Sequence, residues 1–260
     1  MAIPHSLARA AQNAVQHSPI LQDPAALRAS NRPQLRRYET RCLMPNGELS
    51  ENRHIAPALP LFESAFCAFS RGSMIETTHG PIAIEDLWPG DEVITHTGEA
   101  RPVQWIGKTT LVPGRPLPSG RMMKLTRIQP DSLGMQKPMG CVIAGPSARV
   151  LKTPGRLRAL AGGQPMLTPV TEFEDGMNIV ETAPPTPVEL FHFCLPEHAV
   201  INIGGLQFET YHPGVNALRM ISSAMRSIYL GLFGHLNELR AFGPQVFPRS
   251  GDGEVDALSA

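Results

Sequence analysis

The sequence predicts a mainly β fold, on three observations. Short runs rich in β-branched and aromatic residues recur through the middle of the chain, with turn residues between them. Proline and glycine are abundant, 26 and 23 of 260 residues, which supplies turns as often as short strands need them. Charged residues make up only 18% of the chain, against about 25% in an average soluble protein, so few exposed ionic helices are expected.

In chain order, residues 1–37 carry five arginines and one acid with no sustained apolar period, and are expected to form a disordered basic arm. Residues 38–60 read as a strand with an Asn46-Gly47 turn, followed by a proline-rich linker (IAPALP), because each X-Pro step is biased away from helix. Residues 61–214 hold the dense series of strands. Its runs include PIAIEDL, DEVITH, PVQWIG, RMMKLTRI, CVIAG, RVLK, MNIVET, VELFHFCL, AVINI and LQFET. Gly204-Gly205 between two of these runs signals a tight hairpin, since primed turns need positive φ. After Pro213-Gly214 the period changes. Leu218, Ile221, Met225, Ile228, Leu232, Leu236 and Leu239 recur three or four apart, so 215–243 is expected to be a helical extension docked on the β body. Gly231 and Gly234 are expected to break it. Residues 244–260 read as a loose acidic tail.

Composition also excludes functions. Equal numbers of basic and acidic residues, 23 each, argue against nucleic acid as a partner. The apolar stretch Ser227 to Phe233 is far shorter than the roughly 20 residues of a membrane span. The N-terminus shows no continuous apolar core of a secretory signal, so a cytoplasmic location is expected. Cys42, Cys67, Cys141 and Cys194 are widely spaced and are expected to be reduced. No P-loop or dinucleotide glycine motif is present, and no cofactor is expected.

One stretch, 65–111, carries three ordered blocks: Phe69-Ser70-Arg71-Gly72-Ser73, Ile84-Glu85-Asp86-Leu87-Trp88-Pro89-Gly90-Asp91, and Pro102-Val103-Gln104-Trp105-Ile106-Gly107. Downstream, LPEHAVINIGGLQFETYHPG places His198, Gly205, Glu209 and Thr210 in a closing segment. Together these blocks resemble the bacterial Hint (hedgehog/intein) family over about residues 61–214. The resemblance implies a Hint-like β fold within the protein-splicing and autoprocessing superfamily. In that chemistry a Cys, Ser or Thr at the start of the module attacks the preceding carbonyl, and a histidine in a later Ser-Pro-x-His motif helps the amide nitrogen leave. Aligned on Phe69 and Gly72, the nucleophile position here is Ala68. Aligned on Gly145-Pro146-Ser147-Ala148-Arg149-Val150-Leu151, the histidine position is Ala148.

Three readings of function follow. The preferred one is a catalytically degenerate Hint domain acting as an interaction module for a protein partner. Its rival is an active self-cleaving protein in which Cys67 attacks at the Phe66-Cys67 bond, an N-to-S acyl shift, with His198 as proton donor. An ordinary buried cysteine and a satisfied core histidine are the plain readings of those two residues. A weaker third reading sets His192, Cys194 and His198, with His212, around zinc, but histidines at strand spacing arise easily by chance, and no metal is expected. Ser70 and Ser73 are expected to brace a turn, Asp91 to bond its own neighbouring backbone rather than pair with Glu85, and Trp88 and Trp105 to pack in the core.

Overall fold

The computed structural model describes residues 34–114, 123–159, 161–214 and 222–251. The strands are β1 (Leu35–Leu43), β2 (Leu49–Pro57), β3 (Phe69–Ser70), β4 (Met74–Thr77), β5 (Gly80–Ala83), β6 (Glu92–Ile94), β7 (Ala100–Pro102), β8 (Trp105–Leu111), β9 (Leu125–Ile128), β10 (Val142–Ala144), β11 (Arg149–Leu151), β12 (Leu167–Pro169), β13 (Ile179–Thr182), β14 (Val188–Cys194), β15 (Val200–Ile203) and β16 (Leu206–Glu209). Among the described residues two short α-helices flank them, α1 (Pro60–Ser64) and α2 (Ser223–Leu230). The fold is mainly β, as the sequence predicts.

An eight-stranded antiparallel sheet runs β13-β9-β10-β3-β14-β8-β1-β2, and two four-stranded sheets run β12-β11-β16-β15 and β5-β4-β6-β7. The alternation of side chains along the central strands divides the interior in two. On β8, Ile106 joins one hydrophobic cluster with Phe69, Ile201 and Phe208, while its neighbour Trp105 joins a second with Tyr38, Phe66 and Phe233. On β14, Phe191 and Phe193 face the first cluster, and Leu190 and Cys194 the second. Both faces of the sheet's central strands are therefore covered. The first is covered by the smaller sheets and the second by α1, α2 and the segment from Leu232 to Phe242.

Local turn chemistry forms where the sequence places it. Gly204 and Gly205, at φ 61° and 90°, close the β15–β16 hairpin. The Asp91 carboxylate accepts the Trp88 amide at 2.7 Å. Ser70 donates to the Ile143 carbonyl, and Ser73 to the Ser70 carbonyl.

Five expectations need correction. β1 begins at Leu35, inside the expected disordered arm, while residues 1–33 lie outside the described residues. The expected linker is strand β2 as far as Pro57, paired along its whole length with β1. Pro60 then starts α1, where its missing N–H costs nothing. In the helical extension, α2 spans only Ser223–Leu230, capped by the Ser222 hydroxyl and ended at Gly231. It buries Tyr229 and leaves Ile228 of the expected stripe exposed, while Leu218 and Ile221 lie outside the described residues. The first part of the expected tail is docked rather than loose: Leu167 donates to the Pro248 carbonyl and Ser250 to the Leu167 carbonyl, at 2.8 and 3.0 Å. Trp105 is fully buried, but Trp88 is a surface residue whose ring lies 4.1 Å from the Arg41 guanidinium.

Gly107 shows how tight the second core is. A Cβ there would lie 2.2 Å from the Trp105 ring and 2.6 Å from Phe66, both fully buried. Gly107→Ala is expected to lower unfolding stability in urea by about 1–3 kcal/mol through overpacking. Gly140→Ala, where a Cβ meets nothing within 4 Å, is the control and is expected to stay within about 0.5 kcal/mol of wild type.

Candidate functional site

The chain enters β3 from α1 through Ala65-Phe66-Cys67-Ala68, all buried. A turn from the β10–β11 connection clamps this segment. Ser147 donates its amide to the Cys67 carbonyl at 3.1 Å, and Gly145 donates to the Ala68 carbonyl at 2.7 Å. The approach is so close that a Cβ on Gly145 would sit 2.1 Å from the Cys67 carbonyl oxygen, which explains glycine at this position. Ala148 N–H closes the turn on the Gly145 carbonyl. Ala68 and Ala148 thus lie at either end of one hydrogen-bonded clamp, and both methyls belong to the first hydrophobic cluster.

Cys67 points to the opposite, second cluster. Burial pushes its thiol up, the Glu63 carboxylate adds to this and Arg36 opposes it. Such a thiol holds almost no thiolate at neutral pH, the form that attacks carbonyls.

The closing segment builds a buried charged network. Glu209, at the end of β16, accepts from His198 Nε2 at 2.9 Å and from Arg249 Nε at 2.8 Å. His198 Nδ1 accepts the Val246 amide at 3.0 Å, so both ring nitrogens are committed and Nε2 carries the proton given to Glu209. Arg249 also donates to the His212 carbonyl at 2.7 Å, and Arg149 Nε lies 3.8 Å from the Glu209 carboxylate. Burial alone would raise the Glu209 carboxyl, but the His198 hydrogen bond and the Arg249 charge outweigh it and bring it down to about 2. His212 is neutral for a matching reason: Nδ1 accepts the Gly214 amide, Nε2 donates to the Gly243 carbonyl, and burial lowers its pKa to about 4.

Between the clamp and this network opens a cleft of about 650 Å³, whose walls include Cys67, Ser147, His192, Glu209, Tyr211 and Arg249. The Ser147 hydroxyl is buried with no hydrogen-bond partner among the described residues. His192 edges against Phe69 and Tyr211, and burial lowers its pKa to about 3. Of the two residues expected to act together, Cys67 lines the cleft and His198 does not. His192 and Cys194 sit on one face of β14, but His198 is held by Glu209 and Val246, and among the described residues no three His, Cys, Asp or Glu side chains are grouped to hold a metal ion. Glu85 bonds the Gly72 amide and Arg71, and is not paired with Asp91.

Arg249 is the residue that sequence reasoning missed. The tail has no apolar period to mark it, and only the apolar pair Val246-Phe247 beside it hints at a docked segment.

The family described as Hint domain matches residues 67–215. Among solved structures, the bacterial intein-like domain from Clostridium thermocellum is 14% identical, with 56% of this chain and 99% of that one covered and a TM-score of 0.39. A splice-inactive variant of the AceL NrdHF class 3 split intein is 14% identical, covering 55% of this chain and 97% of that one, with a TM-score of 0.36. The gp41-1 intein is 12% identical, covering 56% and 99%, with a TM-score of 0.34. No curated protein matches the chain.

The buried histidines make stability fall in acid. His192, His212 and His235, lowered to about 3, 4 and 4, stay neutral in the fold while the unfolded chain protonates below about pH 6.5. The unfolded state then binds more protons, so unfolding free energy is expected to be full above pH 6.5 and to decline from there towards pH 4. Glu209 adds its loss between about 4.5 and 2. Urea unfolding at pH 7, 5.5 and 4.5 measures the decline, and His212→Gln is expected to make it shallower. A stability that stays flat from pH 7 to 4.5 contradicts this account.

Proposed function

The chain belongs to the Hint domain family, and we propose that it is a member of the autoprocessing superfamily that has lost the acyl shift and serves as a protein-interaction module. The observation that carries this reading is the pair Ala68 and Ala148. The two positions where the family's chemistry wants a nucleophile and a histidine are methyl groups, 0% and 2% exposed, in one hydrophobic cluster. Neither can attack a carbonyl or move a proton. His198, the remaining polar residue of the closing segment, has both ring nitrogens engaged within the fold. The cleft suits a binding role: it is open, and its wall includes the Ser147 hydroxyl, which has no partner among the described residues, the kind of group a bound peptide or side chain satisfies.

One observation favours the rival reading, in which Cys67 attacks the Phe66 carbonyl. The family match begins at Cys67 itself. Against it stands the environment of the thiol, buried among aromatic rings and pushed away from ionisation.

Intact mass of the freshly expressed protein separates the two. A single species near 28.3 kDa, unchanged by hydroxylamine or thiol reductant and identical in cleavage behaviour to Cys67→Ala, is expected. Two fragments split before Cys67, absent from Cys67→Ala, would establish the self-cleaving reading instead. Among the described residues no helix is long and apolar enough to cross a membrane.

A further inference from the structure

We infer that the outer edge of β2 is a homodimer interface, in which two copies of this chain pair β2 against β2 about a two-fold axis at Asn52. The inference concerns residues outside the family-matched segment and does not depend on what the cleft does.

β2 ends the eight-stranded sheet, and its far side carries no strand among the described residues. The opposite edge, β13, is four residues long, whereas β2 is nine and pairs with β1 without a bulge from Leu49 to Pro57. Long regular edges invite pairing unless blocked by proline, bulges or charged side chains; the charges on this edge are of opposite sign, Arg53 and a Glu51 that also pairs with Arg41 at 3.2 Å. The only proline in the strand is its last residue, Pro57.

The phase of the β1–β2 ladder decides which groups are free. Met44 donates to Glu48 and Ala58 to Gln34, each at 2.8 Å. Hydrogen-bonded pairs alternate in an antiparallel ladder, so Ser50, Asn52, His54 and Ala56 direct their backbone groups to β1. Leu49, Glu51, Arg53 and Ile55 direct theirs to the open edge. Their side chains share one face and all four are exposed, Leu49 at 54% and Ile55 at 75%.

A two-fold axis at Asn52 sets Glu51 opposite Arg53 of the second copy and Leu49 opposite its Ile55, each relation occurring twice. Every one of these residues has its N–H and C=O pointing outward, so each pair exchanges backbone hydrogen bonds. Cross-strand pairs of opposite charge and of apolar residues stabilise a ladder, and like charges placed opposite destabilise it. Moving the axis by one residue sets Glu51 against Glu51 or Arg53 against Arg53. The strand is therefore self-complementary in one register, and pairing in it joins two large sheets into one.

Sedimentation and light scattering of the full chain from about 1 to 100 μM, the range in which a modest interface populates, test this. The expected mass at high concentration is twice 28.3 kDa. Glu51→Arg alone and Arg53→Glu alone each place like charges opposite, and each is expected to raise the dissociation constant about tenfold or more. A 1:1 mixture of the two variants puts opposite charges back in register and is expected to restore association. A wild-type chain that stays monomeric, a dimer that neither variant weakens, or a mixture that fails to restore it overturns the inference. So does a monomer whose Leu49, Glu51, Arg53 and Ile55 amides are protected from hydrogen exchange, because another part of the same chain then covers the edge.

Discussion

The indole of Trp105 is the contact on which the arrangement of the chain depends. It lies on β8, opposite Cys42 of β1 on one side and Cys194 of β14 on the other. Its N–H would cost free energy if buried without a partner, and it donates to the Leu232 carbonyl at 2.8 Å. Its ring meets Phe66 and Phe233, with centroids 5.4 and 4.6 Å away. Residues from before, within and after the family-matched segment thus converge on one side chain. Phe66 is also the residue whose carbonyl an attacking Cys67 would have to reach. The aromatic core that joins these segments therefore also packs around the residue that precedes Cys67.

Glu209 does for the C-terminal segment what Trp105 does for α2. A buried carboxylate is tolerated only when paired and hydrogen-bonded, and its partners come from three places: His198 before β15, Arg249 after the helical region, and Arg149 on β11. Withdrawing the Arg249 guanidinium would leave a buried carboxylate without its nearest counter-charge. That obligation, together with the Leu167 bridge to Arg249, holds the 244–251 segment on the domain although it has no regular secondary structure of its own.

What could be read from the sequence was local. Period-two runs, the Gly204-Gly205 turn, the Asp91 turn and the buried Trp105 all follow from residues within a few positions of one another. The motif blocks likewise led to Cys67, Ala68, Ala148, His198 and Glu209. Long-range pairing was hidden. Pro57 made β2 look like a linker, yet its nitrogen falls at the open edge of the sheet, where a missing N–H removes no ladder bond. Trp88 looked like core because it is large and apolar, but it lies at the surface with a cation beside its ring. Arg249 could not be found because its role exists only once Glu209 is buried beneath it.

The proposed loss of chemistry is consistent with how the remaining polar groups are spent. A histidine that moves a proton must exchange partners during the reaction, and a nucleophile must be reached by a base. Here the imidazole of His198 bridges Val246 to Glu209, and Glu209 in turn holds Arg249. Protonating His198 at Nδ1 would break its bond to the Val246 amide and loosen the segment that closes the fold. With alanine at 68 and 148 nothing demands that exchange, and the same carboxylate and imidazole can be fixed permanently as anchors. In that reading the buried network is kept for what it holds in place, and the cleft beside it is free to be shaped by a partner.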